Sequence, residues 1–367
     1  MNKQARRNHC VVLKRRGVWC LKQFSFSLLL LWSFTLAILF FTNKKQQRIP
    51  NLTGTITLSA QKRKTTLSNR ITQFVAGRHL SLQTNSICFT VGFKSPTTKN
   101  GIGNHLFYFA GIMHGAWLTG RKPIILSSKE NMLDKAFDLN ITHTDISMVC
   151  PVRQINITNE DGIELLNNVE SNVSIWMQSS FYSWKYTQPI EAELRRKLQF
   201  RQEVKKFAKT FLSANVPLGW NDNTFVRVGV HVRRGDYLKR WAVNAGFMVA
   251  SEEYLRTAMT YFVERYNRVQ FIVASNSMYW CLMHIDPSSF DKERINITFS
   301  IGHSTEQDLA LLASCDHMVM TTGTFSWWAA WLANGTTIYY KNFRRHKSWL
   351  WQRSNASDYF PPWWIGI

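Results

Sequence analysis

Residues 225–237 read FVRVGVHVRRGDY, and this stretch decides the interpretation of the fold. Its branched apolar run predicts a buried strand that ends at Val232. Two adjacent arginines, a glycine and an aspartate follow directly. Ligands of open parallel sheets bind beyond the carboxyl ends of the strands. We therefore expect Arg233, Arg234 and Asp236 to lie at a ligand site.

The two arginines are suited to an anionic ligand. A guanidinium group is planar, keeps its charge and donates two parallel hydrogen bonds to phosphate oxygens. Asp236 follows closely enough to orient one of the guanidinium groups. Spacing alone fits equally well a plain ion-pair cluster of Arg233, Arg234 and Asp236 at a strand end.

Strands and helices alternate on both sides of this stretch, which predicts parallel sheets. The pattern falls into two halves, and it is interrupted by Pro217 and Gly219. We therefore expect an α/β protein with two Rossmann-like lobes that face a cleft, residues 86–218 and 219–367. The predicted strands are 88–93, 121–126, 225–232, 269–274, 317–321 and 338–340, and the predicted helices are 105–119, 252–266, 306–314 and 325–333.

A second segment, residues 320–331 (MTTGTFSWWAAW), predicts a strand, a tight glycine turn and the start of a helix. The free backbone N–H groups and the positive dipole end of such a helix suit a diphosphate. Thr324, Phe325 and Ser326 would line that site. The alternative is an ordinary helix N-cap by Thr324. The paired tryptophans are more typical of packing between helix and sheet than of sugar contacts.

Several common catalytic motifs are absent from the sequence. It contains no Walker loop, no G-x-S-x-G elbow and no Asp-x-Asp pair of the kind that holds a metal ion on a nucleotide sugar. We therefore expect no metal site. If a diphosphate leaves here, arginines and helix N-termini must stabilise its developing charge.

The N-terminal residues predict a membrane anchor. Residues 1–23 carry seven Lys or Arg and no acid, and residues 24–41 are uncharged. Eighteen helical residues span about 27 Å, enough for a thin bilayer. The alternative of a cleaved signal peptide is disfavoured by the length of this segment and by the lack of a small-residue cleavage site. We expect a cytosolic tail (1–23), a transmembrane signal-anchor (24–41), a stem (42–85) and a luminal remainder.

Sequons and cysteines agree with a luminal position. Four cysteines, Cys88, Cys150, Cys281 and Cys315, follow the anchor and could form two disulfides in an oxidising lumen, by any of three pairings. Cys10 and Cys20 are either palmitoylated or free cytosolic thiols. All seven Asn-x-Ser/Thr sequons lie beyond the anchor, at Asn51, Asn140, Asn156, Asn172, Asn296, Asn334 and Asn355.

The net charge of +22 does not by itself identify a ligand. A basic chain can bind nucleic acid, but a luminal domain meets none, so we expect no nucleic-acid partner. Part of the charge lies in the tail, where anionic lipid headgroups attract it. The rest fits an anionic small substrate or a basic solvated surface.

Residues 231–237 (HVRRGDY) resemble the His-x-Arg-Arg-x-Asp signature of fucosyltransferases that form α1,2, α1,6 and protein O-linked fucose. The fuller resemblance is to the galactoside α1,2-fucosyltransferases of animals, and it covers about residues 86–367. The motifs that carry it occur in the same order. They are Gly103-Asn104, 273–276 (VASN), 308–312 (DLALL), 322–325 (TGTF), 328–333 (WAAWLA) and 363–367 (WWIGI).

The resemblance implies a GT-B-like fold, GDP-fucose as donor, galactose-terminated glycans as acceptors, no metal and inversion at the anomeric carbon. With the anchor, it implies a Golgi membrane enzyme. Arg233 would hold the β-phosphate and, with Asp236, serve catalysis. The other residues that it assigns to donor binding are His231 along the nucleotide, Asp308 at the guanine edge, Thr324 to Ser326 at the diphosphate, and Asn104, Arg234 and Asn276.

Two departures from the family pattern concern the acceptor side, and one position concerns the general base. Relatives usually have Asn-Gln where this chain has Asn104-His105, and often Gly-Phe or Gly-Trp in place of Ser326-Trp327. The glutamate base of related α1,6 enzymes falls on Trp241, so Asp236, Glu252 and His105 are only weak candidates for that role. Two alternatives stay open: a fucosyltransferase with another acceptor or linkage, such as α1,6, and a catalytically silent membrane lectin.

Overall fold

The computed structural model describes residues 88–91, 101–126, 132–139, 142–144, 152–156, 166, 168–169, 174–178, 181–221 and 224–367. The described residues all belong to one compact unit, residues 60–367. The expected tail, transmembrane helix and stem lie outside the described residues. Among the helices that are described, none is both long enough and apolar enough to span a membrane.

The N-terminal half contains a five-stranded sheet in which every pair of neighbours is parallel. The predicted first strand and the predicted strand after the first helix are confirmed. The other three strands were not predicted, because they are short and carry polar residues. In spatial order the strands are β3 (Thr142–Thr144), β2 (Lys122–Leu126), β1 (Cys88–Val91), β5 (Ser174–Gln178) and β4 (Val152–Asn156).

The C-terminal half contains a six-stranded sheet, again with parallel neighbours throughout. The four predicted strands of this half are confirmed to within two residues, and the boundary at residue 218 stays a prediction. In spatial order the strands are β11 (Ile365–Gly366), β10 (Thr337–Tyr339), β9 (His317–Met320), β6 (Val226–Val232), β7 (Val269–Ser275) and β8 (Ile295–Phe299).

Helices connect the strands, as expected for parallel sheets. The predicted helices are confirmed with small shifts at their ends. In chain order the described helices are α1 (Ile102–Thr119), α2 (Met132–Ala136), α3 (Glu191–Lys197), α4 (Gln202–Ala214), α5 (Arg240–Ala245), α6 (Glu252–Val263), α7 (Met278–His284), α8 (Thr305–Ala313), α9 (Thr324–Ala333), α10 (Trp349–Arg353) and α11 (Ala356–Tyr359).

Helix α9 joins the two halves through one hydrophobic core. Trp327 and Trp328 are completely buried, and the Phe107 ring of α1 lies 4.7 Å and 5.3 Å from their ring centres. The same core includes Ile175 of the first sheet and Met320 of the second. The paired tryptophans are therefore packing residues, and their burial fixes the N-terminus of α9 against that of α1.

The four cysteines beyond the anchor do not form two disulfides. Cys281 in α7 and Cys315 before β9 are free thiols, and both are buried. Every pairing of four cysteines into two bridges needs both of them. Cys150 lies outside the described residues. Burial in apolar surroundings raises the pKa of the Cys281 and Cys315 thiols, so both are packed as small neutral side chains.

The described sequons differ in their accessibility. Asn334 and Asn355 are exposed at helix ends. Asn296 in β8 is half-buried, and its side-chain oxygen accepts hydrogen bonds from Thr298 and Gln270. Asn156 lies in β4. Asn51, Asn140 and Asn172 lie outside the described residues.

Candidate active site

The candidate site lies along the carboxyl edge of the six-stranded sheet. In this edge, β9, β6, β7 and β8 are consecutive neighbours. The segments that follow them, loops or the first turns of helices, carry Thr324, Arg233, Asn276 and Asp308 respectively. The parallel sheet therefore brings together residues that are up to 91 positions apart in the chain. This edge is where ligands of open parallel sheets bind.

Arg233 and Asp236 form a bidentate ion pair directly after β6. The Nε and Nη2 atoms of Arg233 donate to the two carboxylate oxygens of Asp236, each over 2.8 Å. The backbone N–H of Arg233 donates to Thr321 Oγ1 over 2.9 Å, which ties this residue to the end of β9. Within the described residues, Nη1 of Arg233 has no partner. The predicted orienting role of Asp236 is therefore present in the geometry, with donors left over for an anion.

Asn276, at the end of β7, holds the Arg233–Asp236 pair in place. Its Nδ2 donates to Asp236 Oδ1 over 2.8 Å. Its Oδ1 accepts from the backbone N–H groups of Arg234 and Gly235, over 2.9 Å and 3.2 Å. One amide thus satisfies the carboxylate and two loop N–H groups. The resemblance assigned Asn276 to donor binding. In the structure it orients Asp236, which in turn orients Arg233.

Replacing Asn276 by alanine is expected to lower kcat/KM by about tenfold, because Arg233 loses its fixed orientation. The hydrogen bonds from Arg233 and Asn276 lower the Asp236 pKa against the opposing effect of burial. Loss of the Asn276 bond therefore raises that pKa, and the acidic limb of the pH–rate profile should move to higher pH. The measurement is kcat/KM against pH for wild type and variant. An unchanged acidic limb together with a lower melting temperature would contradict a positioning role.

Arg234 has different partners from Arg233. Its Nη1 donates to the Ala250 carbonyl over 3.3 Å, and its guanidinium carbon lies 4.3 Å from the centre of the Trp280 ring. Burial lowers the pKa of Arg234. Only Arg233 pairs with Asp236, so the alternative of a three-residue ion-pair cluster is not formed.

The N-terminus of α9 has no side-chain cap. Its N-cap residue is Gly323, whose φ of +96° is in the region that favours glycine. Thr324 is the first helical residue, and its hydroxyl donates to Asn104 Oδ1 over 2.6 Å. The alternative of an N-cap by Thr324 is therefore wrong. The first backbone N–H groups of α9 have no partner within the helix, which makes this end a site for an anion.

The N-terminus of α1 lies directly against that of α9. A Cβ atom on Gly103 would lie 2.4 Å from the Thr324 carbonyl carbon and 2.5 Å from the Phe325 nitrogen. Only a glycine permits this approach. Each helix end carries a partial charge of about +0.5. Two positive helix ends thus meet, and the Arg233 side chain lies next to that of α9, with its Cγ 3.9 Å from a Cβ built on the N-cap residue Gly323.

His231 is a buried neutral residue beneath α9. Its Nδ1 lies 2.5 Å from Ser326 Oγ, and that hydroxyl donates to the Thr322 carbonyl over 2.9 Å. Since the single hydroxyl hydrogen is used, His231 Nδ1 must be the donor to Ser326. Burial, with a smaller contribution from Arg233, lowers the His231 pKa to about 3. The ring also packs 4.6 Å from Phe325, so His231, Phe325 and Ser326 together support the helix end.

The chain is expected to lose stability between about pH 6.5 and pH 4. Burial lowers the pKa of His114 to about 4 and that of His231 to about 3, both from 6.5. Below pH 6.5 the unfolded chain binds protons that the folded chain does not, at up to about 1.4 kcal/mol per pH unit for each histidine. Thermal unfolding near pH 7.5 and pH 5 measures the loss.

The variant for this prediction is His114→Leu, because the Nδ1 atom of His114 is buried without a hydrogen-bond partner. It removes one of the two groups and should reduce the acid sensitivity of the melting temperature. Exposed His346, replaced by glutamine, is the control. Equal acid sensitivity in His114→Leu and wild type would contradict the assignment.

Asp308 lies at the far end of the site, in the first turn of α8. Its Oδ1 accepts from Ser300 Oγ over 2.6 Å, and burial raises its pKa. Among the described residues, its Oδ2 has no hydrogen-bond partner. Strand β8, which precedes Ser300, is two strand spacings from β6, about 10 Å. The edge therefore offers cationic groups at one end and a carboxylate acceptor at the other, which suits an extended nucleotide.

The structure does not single out a general base among the three candidates Asp236, Glu252 and His105. Asp236 has both oxygens in hydrogen bonds, and Glu252 pairs with Arg256 over 2.6 Å and with His284 over 3.3 Å. His105 lies in the first turn of α1 beside Tyr108. Sequence reasoning also missed Thr321, whose only signal is its place after β9. In the described part of the chain, no three His, Cys, Asp or Glu residues cluster as a metal site would require.

Comparison with known proteins gives consistent matches. The chain is 32% identical over 273 residues to galactoside alpha-(1,2)-fucosyltransferase 1 of Homo sapiens, which covers 72% of each chain. It is 31% identical over 279 residues to the Bos taurus protein of the same name, which covers 73% of this chain and 74% of that one.

Among solved structures, POFUT1 in complex with GDP matches 71% of this chain and 100% of that chain, with a TM-score of 0.45 and 12% identity. The fucosyltransferase NodZ from Bradyrhizobium matches 67% of this chain and 93% of that chain, with a TM-score of 0.45 and 15% identity. The family model of glycosyl transferase family 11 matches residues 55–367. Since that match spans most of the sequence, the chain belongs to glycosyl transferase family 11 and is a glycosyltransferase.

Proposed function

We propose that the chain is a galactoside α1,2-fucosyltransferase, which transfers L-fucose from GDP-β-L-fucose to the 2-hydroxyl of a terminal β-galactose with inversion and without a metal ion. Family membership and the names of the relatives support this function. The observation that carries it is the Arg233 side chain beside the uncapped N-terminus of α9, which the uncapped N-terminus of α1 contacts.

The proposed chemistry uses these groups on the leaving diphosphate. The bond between fucose C1 and the β-phosphate oxygen breaks through an oxocarbenium-like state, while the acceptor oxygen attacks from the opposite face and its proton passes to water. Negative charge grows on the departing GDP. The Nη1 donors of Arg233 and the N–H groups of Thr324 and Phe325 bind that charge best when it is fully developed, which lowers the barrier.

Asp308 is proposed to select the guanine base. A carboxylate can accept two N–H hydrogen bonds from the guanine edge. Because Asp308 is buried, these bonds would offset the free-energy cost of removing its carboxylate from water. Asn104 is proposed to orient the diphosphate, since its Oδ1 is taken by Thr324 and its Nδ2 can donate.

We also propose that the two sheets are the lobes of a GT-B-like fold, held in the Golgi lumen by a signal-anchor. The uncharged segment at residues 24–41, the basic residues before it and the seven sequons after it support this placement. The acceptors would then be galactose-terminated glycans of glycoproteins or glycolipids.

The test is an acceptor screen with the full-length chain in a neutral detergent. GDP-fucose is offered with a panel of β-galactosides in EDTA, and the linkage of each product is determined by NMR. We expect α1,2-linked fucose on galactose. The proposal is falsified if chelation abolishes transfer. Product with another linkage would support the alternative acceptor, and glycan binding without transfer would support a silent lectin.

A further inference from the structure

Two segments that are far apart in the sequence form one surface next to the candidate site. Residues 237–251 include α5, and residues 337–357 include α10. Phe247 and Arg344 form an antiparallel bridge. Backbone bonds on either side hold the segments together, from Met248 to Phe343 over 2.9 Å and from Arg345 to Gly246 over 2.8 Å. We call the face that they share the α5–α10 surface.

The α5–α10 surface is basic and has no acidic residue of its own. Neither segment contains Asp or Glu, and together they contain seven Lys or Arg. Among the described residues, none of the seven forms a salt bridge with a carboxylate. Of the acids that flank the segments, Asp236 is paired with Arg233, Glu252 with Arg256 and Asp358 with Lys185, and Glu253 is exposed at the start of α6. The seven residues are Lys239, Arg240, Lys341, Arg344, Arg345, Lys347 and Arg353.

Several basic residues elsewhere are neutralised by a neighbouring acid. Arg195, Arg196, Arg201 and Arg256 are each paired with a glutamate at 2.6–2.8 Å. All seven basic residues of the surface except Arg344 are exposed. An uncompensated cluster of like charges lowers the stability of a fold by mutual repulsion. Such a cluster is expected where an anionic ligand neutralises it.

Exposed tryptophans lie between the basic side chains. Trp241, Trp349 and Trp351 are 54%, 55% and 40% exposed. The guanidinium carbon of Arg344 lies 4.4 Å from the centre of the Trp351 ring, and that of Arg353 lies 5.2 Å from Trp349. Exposed aromatic faces of this kind mark interaction sites, and their apolar surface suits the C–H faces of sugar rings.

A row of aromatic rings links the surface to the candidate site. The rings of Trp241 and Phe247 are 5.9 Å apart, and those of Phe247 and Tyr237 are 4.5 Å apart. The guanidinium carbon of Arg233 lies 5.5 Å from the Tyr237 ring centre. A molecule bound on the α5–α10 surface therefore reaches the groups that are proposed to hold the donor diphosphate.

We propose that the α5–α10 surface binds an anionic glycan, a sugar chain with sulfate or carboxylate groups. Its lysines and arginines neutralise the anionic groups, and its indole rings contact the pyranose faces. This proposal of glycan binding does not depend on the chain having transferase activity. The further statement that this glycan is the acceptor rests on the proposed function.

The same combination of tryptophan and basic residues also occurs at membrane surfaces. Continuity with the site favours the glycan. A bilayer against the α5–α10 surface would cover the approach along the Trp241, Phe247 and Tyr237 rings, whereas a glycan would extend along it.

The experiment measures equilibrium binding of a sulfated hexasaccharide and its desulfated counterpart to the full-length chain in neutral detergent. The test variant is Lys239→Gln/Arg345→Gln/Lys347→Gln. The matched control is Lys205→Gln/Lys206→Gln/Lys209→Gln on α4, which removes three exposed charges at a distant position. Any binding by the basic N-terminal residues is common to both.

We expect salt-dependent binding of the sulfated sugar that the test variant weakens by roughly tenfold and the control leaves within about twofold. Trp241→Ala should weaken it as well. Three outcomes would overturn the proposal: equal losses in both triple variants, equal binding of the desulfated sugar, or displacement of the sulfated sugar by phosphatidylserine in the micelles.

A transfer assay then separates binding from acceptor use. The ratio of kcat/KM for a sulfated and an unsulfated galactoside should fall in the test variant and stay constant in the control. Intact binding with no transfer to any galactoside would refute the proposed function and leave the binding site standing. Transfer with an unchanged ratio would refute the acceptor role.

Discussion

Replacing Arg233 with alanine should lower kcat/KM for fucose transfer by about 10²–10³-fold. The guanidinium is the cationic side chain at the centre of the sheet edge, and its Nη1 donors have no partner in the described protein. The variant should also lose GDP affinity, measured by calorimetry. Because Arg233 is partly exposed and Asp236 keeps its bond to Asn276, the melting temperature should change by no more than about 3 °C.

A matched control for this variant is Arg256→Ala. Arg256 also donates to a carboxylate, that of Glu252 over 2.6 Å, but it lies on the exposed surface of α6. Its loss should leave activity and GDP binding unchanged. If Arg233→Ala lost stability and GDP binding in parallel, the pair with Asp236 would be a structural ion pair and the assignment to phosphate would be refuted.

Gly103→Ala is the second variant with a large expected effect. The new Cβ would lie 2.4–2.7 Å from backbone atoms of Thr324 and Phe325, none of which can rotate away. We expect a destabilisation of about 1–3 kcal/mol, seen as a lower melting temperature. Activity at a temperature where the variant is folded should fall by about tenfold or more, because the two helix ends are pushed apart.

The neighbouring glycine provides the control for Gly103→Ala. Gly101 has a φ of −68°, and a Cβ built on it would meet nothing within 4 Å. Gly101→Ala should therefore have nearly wild-type activity and stability. Equal losses in the two variants would show that loop flexibility, and not the close approach of α1 to α9, is what the site requires.

The strands with continuous apolar runs could be predicted from the sequence. Residues 226–232 and 269–275 are buried at the centre of the second sheet, where both faces are covered by helices. β8 was missed although its sequence INITF alternates apolar and polar residues, which is the pattern of a half-buried strand and suits its place at the sheet edge. β11 has only two residues, and long-range pairing with β10 is what makes them a strand.

The site was partly predictable for a similar reason. A charged group directly after an apolar strand indicates the edge of the sheet where ligands bind. This signal was sufficient to predict that Arg233 and Asp236 lie at that edge. The partner of a side chain across the sheet leaves no local signal. The amide of Asn276 and the hydroxyl of Thr324 therefore received roles from the resemblance alone, and their contacts with Asp236 and Asn104 became visible only in the fold.

The free thiols of Cys281 and Cys315 have a practical consequence. Residues 224–367 depend on no covalent cross-link, so this half of the protein needs neither an oxidising compartment nor an isomerase to reach its fold. With raised pKa values and buried sulfur atoms, both cysteines should react slowly with alkylating reagents. Production in a reducing bacterial cytosol and purification with a reductant are thus compatible with an intact carboxyl edge of the six-stranded sheet.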